Sequence, residues 1–138
     1  MKIKLLITGG TIDKVYNELT GELEFDDSHL EKMLKRGRST LDISSEILFL
    51  KDSLDMADED RELILSKCLS STEDKIVITH GTDTMVETAK LLGDQAKGKT
   101  IVLFGSMIPY SVNNSDALFN LGVALSAVQN KKQGVYIA

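Results

Sequence analysis

Short runs of consecutive apolar residues alternate along this chain with longer stretches of helical periodicity. The runs are Leu5-Leu6-Ile7, Ile47-Leu48-Phe49-Leu50, Ile76-Val77-Ile78, Ile101-Val102-Leu103-Phe104 and Val135-Tyr136-Ile137. A strand with one wet face alternates apolar and polar positions. An unbroken run fits a strand covered on both faces, as in a parallel sheet. The segments between the runs read as helices. Ser28 to Arg36 sets Leu30, Met33 and Leu34 on one face, with Ser28 and Glu31 spaced as a capping box. Asp58-Glu59-Asp60 supplies an acidic first turn, favourable against the positive end of the helix dipole, to a helix running through Leu69. Met85, Ala89 and Leu92 line a third helix that Gly93 can end, and Leu118, Leu121, Leu125 and Val128 line a fourth that runs into Gln129. Such alternation predicts βαβ units, and so an α/β fold: a three-layer sandwich around a mainly parallel sheet. Thr11 to Phe25 carries no helix signal. It has hairpin character, with a turn at Asn17 to Gly21, and reads as a mobile lid beside the sheet end.

Composition narrows the class of partner. With 138 residues the chain suits one domain, and 42% hydrophobic against 27% charged residues rules out a disordered chain or a coiled coil. Sixteen basic residues against 21 acidic leave a net charge of −5, which argues against a nucleic-acid backbone or an anionic membrane as partner. The cluster Lys35-Arg36-Gly37-Arg38 reads as a solvated helix end. Cys68 stands alone, so no intrachain disulfide is available and no oxidising compartment is required. The apolar part of Met1 to Ile7 is too short for a signal-peptide core, and no stretch approaches the roughly 20 apolar residues of a membrane span. The expected location is cytoplasmic.

In open α/β sheets ligands bind beyond the carboxyl ends of the strands, where strand order reverses. Three loops leave such ends carrying hydroxyls and carboxylates: Thr8-Gly9-Gly10-Thr11-Ile12, Thr79-His80-Gly81-Thr82-Asp83-Thr84, and Gly105-Ser106-Met107-Ile108-Pro109-Tyr110-Ser111. The two glycines before Thr11 let the backbone turn tightly and let a ligand approach main-chain N–H groups. The loop matches neither dinucleotide nor P-loop spacing, so no nucleotide cofactor is expected. In the second loop Thr82, Asp83 or Thr84 can cap the helix that follows, with Thr84 and Glu87 spaced as a capping box. The same residues also put a hydroxyl and a carboxylate at a helix N-terminus, where negative charge is favoured. His80 reads as a structural hydrogen-bonding residue and His29 as a helix-surface residue. Two histidines and one cysteine lack ligand spacing, so no metal is expected. Asp52, Asp55 and Asp58 read as a loop entering a helix cap. The residues by themselves reach a hydroxyl-rich polar pocket and leave the reaction open.

Taken together, the loops resemble the N-terminal domain of the bacterial-type L-asparaginases, a family that includes related amidohydrolases and an archaeal tRNA-amidotransferase subunit. Thr8-Gly9-Gly10-Thr11-Ile12 is similar to its first active-site motif. Ile78-Thr79-His80-Gly81-Thr82-Asp83-Thr84-Met85, followed by Glu87-Thr88-Ala89, is similar to the second. Gly105-Ser106-Met107-Ile108-Pro109 and Ser115-Asp116-Ala117-Leu118-Phe119-Asn120-Leu121 resemble a GAMRP-type turn and the helix entry beyond it. The resemblance implies catalytic roles for Thr11, Tyr16, Thr82 and Asp83. Thr11 would attack the side-chain amide carbon of asparagine, Tyr16 would help activate Thr11, and Thr82 would lie near the reacting carbon. Substrate would be bound by Gly10, Ser53, Asp55, Gly81, Thr82 and Asp83, with Ser53 on its α-carboxylate and Asp83 on its amino group. The implied partner is a small amino acid, asparagine or aspartate, and the implied assembly is a homo-oligomer.

The sequence departs from the family pattern in three ways. Larger relatives have a Gln where this chain has Leu54. The family's catalytic Lys has no counterpart before Ala138. Two-domain relatives complete the site from a neighbouring subunit's C-terminal domain. The expectation is therefore one asparaginase N-terminal-like domain, residues 1–138, lacking its C-terminal end: an amidohydrolase of impaired activity. The alternatives are a non-catalytic domain that binds a small amino acid, and a scaffold whose partner supplies the remaining residues.

Overall fold

The computed structural model describes residues 1–138. The elements follow in the order β1 (Lys2–Gly9), β2 (Lys14–Asn17), β3 (Glu22–Phe25), α1 (Leu30–Arg36), β4 (Asp42–Lys51), α2 (Asp58–Ser70), β5 (Lys75–Thr79), α3 (Met85–Gln95), β6 (Thr100–Phe104), α4 (Ala117–Asn130) and β7 (Gly134–Ile137). Five strands form one parallel sheet in the order β4-β1-β5-β6-β7. The other two, β2 and β3, pair antiparallel as a hairpin, with Tyr16 opposite Leu23. Its turn is where the sequence puts it: Gly21 takes φ 75° and donates its N–H to Asn17 O at 2.8 Å.

The unbroken apolar runs are explained by two cores, one on each face of the sheet. Ile3, Leu5 and Ile7 of β1 point to one side with Val77, Val102 and Phe104, and pack against Leu30 and Met33 of α1 and Leu121 and Val128 of α4. Leu6 points to the other side with Ile76, Ile78, Ile101 and Leu103, against Ile64 and Cys68 of α2 and Leu92 of α3. Because successive strand residues face opposite ways, both parities must be apolar. This is the expected three-layer sandwich. The edges differ: Ile47 on β4 is 50% exposed and Ile137 on β7 is 48% exposed, so a continuous run there does not mark two-sided burial.

Three local expectations need correction. α3 continues through Gly93 to Gln95 and ends at Ala96, whose N–H reaches Leu92 O at 2.7 Å. An interior glycine costs only about 1 kcal/mol relative to alanine, too little to stop a helix whose apolar face is buried. The Ser28–Glu31 capping box does not form. His29 occupies the N-cap, Ser28 Oγ takes the Leu30 N–H at 3.2 Å, and the cap donor of His29 goes instead to Asp13 Oδ1 at 2.8 Å. His29 is therefore not a helix-surface residue. Its side chain is 14% exposed, lying between Asp13 and the Tyr110 ring. The acidic start of α2 is as expected, with Asp60 accepting from Ala57 N at 2.9 Å.

Candidate active site

Sheet order reverses between β1 and β5, because β1 is followed in the sheet by β4 on one side and β5 on the other. The two loops leaving these strands meet there main chain against main chain. Gly10 takes φ 81° and ψ 178°. A Cβ on it would stand 2.5 Å from Gly81 N and 2.7 Å from Gly81 Cα. A Cβ on Gly81 would in turn stand 2.7 Å from both Cβ and Oγ of Ser53. Side chains at either position would push the loops apart, so glycine is what brings the Thr11, Thr82 and Ser53 segments together. Gly10 N donates to Lys51 O at 2.9 Å, which spends its own N–H on the β4 side. Below this contact Thr8 and Thr79 lock the strands, Thr8 N to Thr79 Oγ1 at 3.1 Å and Thr8 Oγ1 to Thr79 O at 2.5 Å.

Thr11 is half-buried at the start of a one-turn 3-10 helix, Thr11–Asp13, in which Ile12 and Asp13 are fully buried. The root of the hairpin is tethered on several sides. Lys14 Nζ bonds Asp52 Oδ2 at 2.5 Å, Tyr110 N bonds Ile12 O at 3.2 Å, and Ser111 Oγ bonds Lys14 O at 2.9 Å. The Lys14 ammonium, then the Leu54 N–H, hold the Asp52 carboxyl below its ordinary range. Farther out the hairpin stands in solvent: Tyr16 is 61% and Leu19 93% exposed. Tyr16 lies on β2, paired with Leu23 of β3.

On the β5 side Thr82 and Asp83 are exposed at the mouth of the crevice. Neither caps α3. The N-cap is Thr84, and its side chain caps nothing: Thr84 Oγ1 donates to Ser53 O at 3.0 Å and accepts from Arg61 at 2.9 Å. The Thr84–Glu87 box is absent because Arg61 claims both residues, with Glu87 at 3.4 Å. Ser53 is buried behind Gly81, and its Oγ accepts from Thr84 N at 3.2 Å. Asp55 and Leu54 are exposed beside it.

His80 is a strut. Its Nδ1 meets Gly81 O and its Nε2 meets Thr88 Oγ1, both at 2.7 Å. Burial, and the Arg61 charge after it, push its pKa below the ordinary histidine value despite the Gly81 contact, so it stays neutral. The turn after β6 is held by Asp116, which accepts from Met107 N, Ile108 N and Asn120 Nδ2 at 2.9–3.1 Å. Burial pushes the Asp116 carboxyl up, but these donors outweigh it and leave its pKa lowered. Sequence patterns gave no pointer to Arg61 or Asp13, whose partners lie in other segments. Lys14–Asp52 was equally invisible, since its two residues lie in separate segments of the chain.

Three comparisons bear on the identity of this arrangement. The family model described as "Asparaginase, N-terminal" matches residues 2–138. An L-asparaginase of Thermococcus kodakarensis is 35% identical over 144 residues, covering 100% of this chain and 44% of the relative. A protein of Haemophilus influenzae described as "Probable L-asparaginase periplasmic" is 34% identical over 151 residues, covering 99% of this chain and 42% of the relative. Among solved structures, the "Probable Cytoplasmic L-asparaginase" of Campylobacter jejuni superposes with a TM-score of 0.83 at 35% identity, covering 99% of this chain and 45% of that one. The chain spans less than half the length of the curated relatives it matches.

Proposed function

The chain belongs to the asparaginase family, and from that premise we propose that it forms the nucleophile-bearing part of an L-asparaginase-type amidohydrolase. The reaction is hydrolysis of asparagine to aspartate and ammonia. The observation that carries the reading is the contact of Gly10 with Gly81, which supports Thr11 and the Thr82–Asp83 pair on adjoining loops at the switch point.

The Thr11 hydroxyl attacks the side-chain amide carbon and gives up its proton. The tetrahedral intermediate then collapses, the C–N bond breaks, and ammonia leaves with that proton. The aspartyl ester left on Thr11 is opened by water, which returns the hydroxyl. A developing oxyanion needs positioned N–H donors. Gly81 fits that need, whereas Gly10 contributes close approach rather than a donor, its N–H being engaged by Lys51 O. Asp83 pairs with the substrate ammonium, and Thr82 lies toward the reacting carbon. Ser53 Oγ accepts from Thr84 N, which leaves its own O–H to donate to the α-carboxylate, and Asp55 stands at the edge of the same turn. Tyr16, solvent-exposed on the hairpin, would help activate Thr11 when the hairpin closes over substrate. Exposed Phe119 and Val123 on the outer face of α4, at 76% and 40%, support self-association as part of this reading. A cytoplasmic location belongs to it as well. No helix is long and apolar enough to cross a membrane, and the Campylobacter neighbour is described as cytoplasmic, although the Haemophilus relative is described as periplasmic.

The test is ammonia release from asparagine, run beside trapping with hydroxylamine, which converts an acyl-enzyme to aspartyl hydroxamate. Thr11→Ala is expected to abolish both products while leaving the thermal melt nearly unchanged. Near-parental turnover in Thr11→Ala overturns the assignment. Aspartate binding by the parent without ammonia or hydroxamate favours the non-catalytic binding domain instead.

A further inference from the structure

Two buried side-chain atoms lack a hydrogen-bond partner, Asp13 Oδ2 and His29 Nδ1, and they belong to neighbouring side chains. His29 Nδ1 stands 3.7 Å from Asp13 Oδ1, with Asp13 fully buried. An unpaired buried carboxylate oxygen is among the costlier defects a fold can carry. This one lies two residues from Thr11.

Asp13 closes the short turn that Thr11 opens. Its Oδ1 accepts from His29 N at 2.8 Å and from Ser28 Oγ at 3.3 Å, which ties the turn to the start of α1. That helix is itself fixed by Leu30 and Met33 in the core, where Ile12 also sits. The backbone of Thr11 is therefore held on one side by Gly10 against Gly81 and on the other by the grip of Asp13 on α1.

The charged and titratable surroundings of this grip are few. From the start of α1 come His29 and Asp27. From the hairpin comes Lys14, whose ammonium is engaged by Asp52. From the loop after β6 comes Tyr110, its ring 5.9 Å from that of His29, with the Arg36 guanidinium 6.0 Å from the Tyr110 ring centre on α1's far end. His29 is the one cationisable group that meets the carboxylate.

We propose that Asp13 and His29 form a proton-linked clasp, in which ionised Asp13 is a positioning residue for Thr11. The inference rests on the reading of Thr11 as nucleophile. An ionised carboxylate holds the His29 N–H and the Ser28 hydroxyl by charge-assisted hydrogen bonds, and a protonated one holds them more weakly. Burial raises the Asp13 pKa above its ordinary value of 3.8, with Asp27 adding to it and the His29 N–H, His29 charge and Ser28 hydroxyl opposing. The folded chain favours the protonated form, so stability from this group is fullest below pH 3.8 and is lost as pH rises through the raised folded value. Ionised Asp13 thus weakens the fold in the pH range where it would serve catalysis, a trade typical of functional residues.

Asp13→Asn tests this directly. It keeps an oxygen for the His29 N–H, supplies an amide donor for His29 Nδ1, and removes the charge. The melting temperature at pH 7 is expected to stay equal or rise, kcat to fall about tenfold with KM within about twofold, and the acid limb of the kcat profile to flatten. A role confined to holding the turn would be met by Asn, and an unchanged kcat and pH profile overturns the proposal. His29→Phe keeps a ring against Tyr110 and removes the imidazole, so the acid limb is expected to move to higher pH. An unmoved limb counts against the clasp. A readout independent of activity is the NMR titration of the Thr11 and Ile12 amides. They are expected to shift with a midpoint above 3.8 in the parent and to lose that shift in Asp13→Asn. If the parent makes neither ammonia nor hydroxamate, the reading of Thr11 falls while the amide titration still decides the clasp. Amides that titrate alike in both proteins overturn the clasp whatever the activity.

Discussion

Gly10→Ala tests the main-chain contact on which the site is built. Gly10 holds φ 81° and ψ 178°, a region open essentially to glycine, and an L side chain forced into it costs about 1–3 kcal/mol. The new Cβ would meet Gly81 N at 2.5 Å and His80 C at 2.8 Å, roughly an ångström inside ordinary contact. Both atoms are main chain and cannot rotate away. Shifting packed groups to make room costs about 1–3 kcal/mol more. A loss near the middle of the combined range, about 4 kcal/mol, lowers the melting temperature by about 12–16 °C for a chain of this size. Two other glycines separate the contributions. Gly21 has φ 75° with nothing within 4 Å, so Gly21→Ala carries strain without a clash and costs about 1–2 kcal/mol. Gly122 lies in the open on α4, and Gly122→Ala gains about 0.5–1 kcal/mol. Melts followed by far-ultraviolet circular dichroism should rank Gly122→Ala above the parent, Gly21→Ala below it, and Gly10→Ala far below both. If Gly10→Ala loses no more than Gly21→Ala, the Gly10–Gly81 contact is not what holds the loops together.

Two further substitutions probe charge. Asp83 is exposed and does not cap α3, so Asp83→Asn should move stability by less than about 0.5 kcal/mol while aspartate affinity by titration calorimetry drops about tenfold or more; a large melting drop with affinity unchanged refutes the substrate role. Glu73 is held down to about 2 by the Ser71 hydroxyl first, then its own N–H and the Ser44 and Thr72 hydroxyls. Its folded value lies below the ordinary 4.5, so its contribution is fully present above that pH and lost as pH falls toward about 2. Urea unfolding should therefore show Glu73→Gln weaker than the parent at pH 7, with the gap closing near pH 2, and a gap independent of pH refutes the assignment.

What could be read from the sequence was whatever a local pattern fully determines. The runs in β1, β5 and β6 are visible because each strand is buried on both faces by different helices, which forces every position to be apolar. The hairpin was visible because Gly21 supplies the positive φ its turn requires. Thr11 and Thr82 could be assigned to site loops because the glycines beside them mark strand ends, whereas Ser53 has no such marker and came only from the family resemblance; the structure brings the three loops together. The failed capping boxes and the placing of His29 share one cause. Ser28–Glu31 and Thr84–Glu87 are sound capping patterns, yet distant groups outbid them: the Asp13 carboxylate for the first, the Arg61 side chain and the Ser53 main-chain carbonyl for the second. His29 reads as a surface residue in the sequence because its burial depends on Tyr110, on a loop far along the chain. Propensity ranks what a segment prefers by itself, and a buried charge arriving from elsewhere exceeds that preference.

The glycines also explain how a small sheet can hold a precise site. Cβ positions on Gly9, Gly10, Gly81 and Gly105 would collide with Lys51, Gly81, Ser53 and His80 respectively. These contacts, main chain throughout except for Cβ and Oγ of Ser53, run as one row across the carboxyl ends of β4, β1, β5 and β6. A platform made of backbone has few rotamers to lose, so the side chains mounted on it can differ without moving their neighbours. Thr11 is the exception, because its turn leaves the row after Gly10 and its far end is fixed by Ile12 and Asp13 together with the tethers of the hairpin root to Asp52, Tyr110 and Ser111. Ile12 fixes that end by burial, which does not respond to pH. Asp13 fixes it by charge at a buried site where charge is costly, and so an adjustable joint lies two residues from the one proposed to do the chemistry.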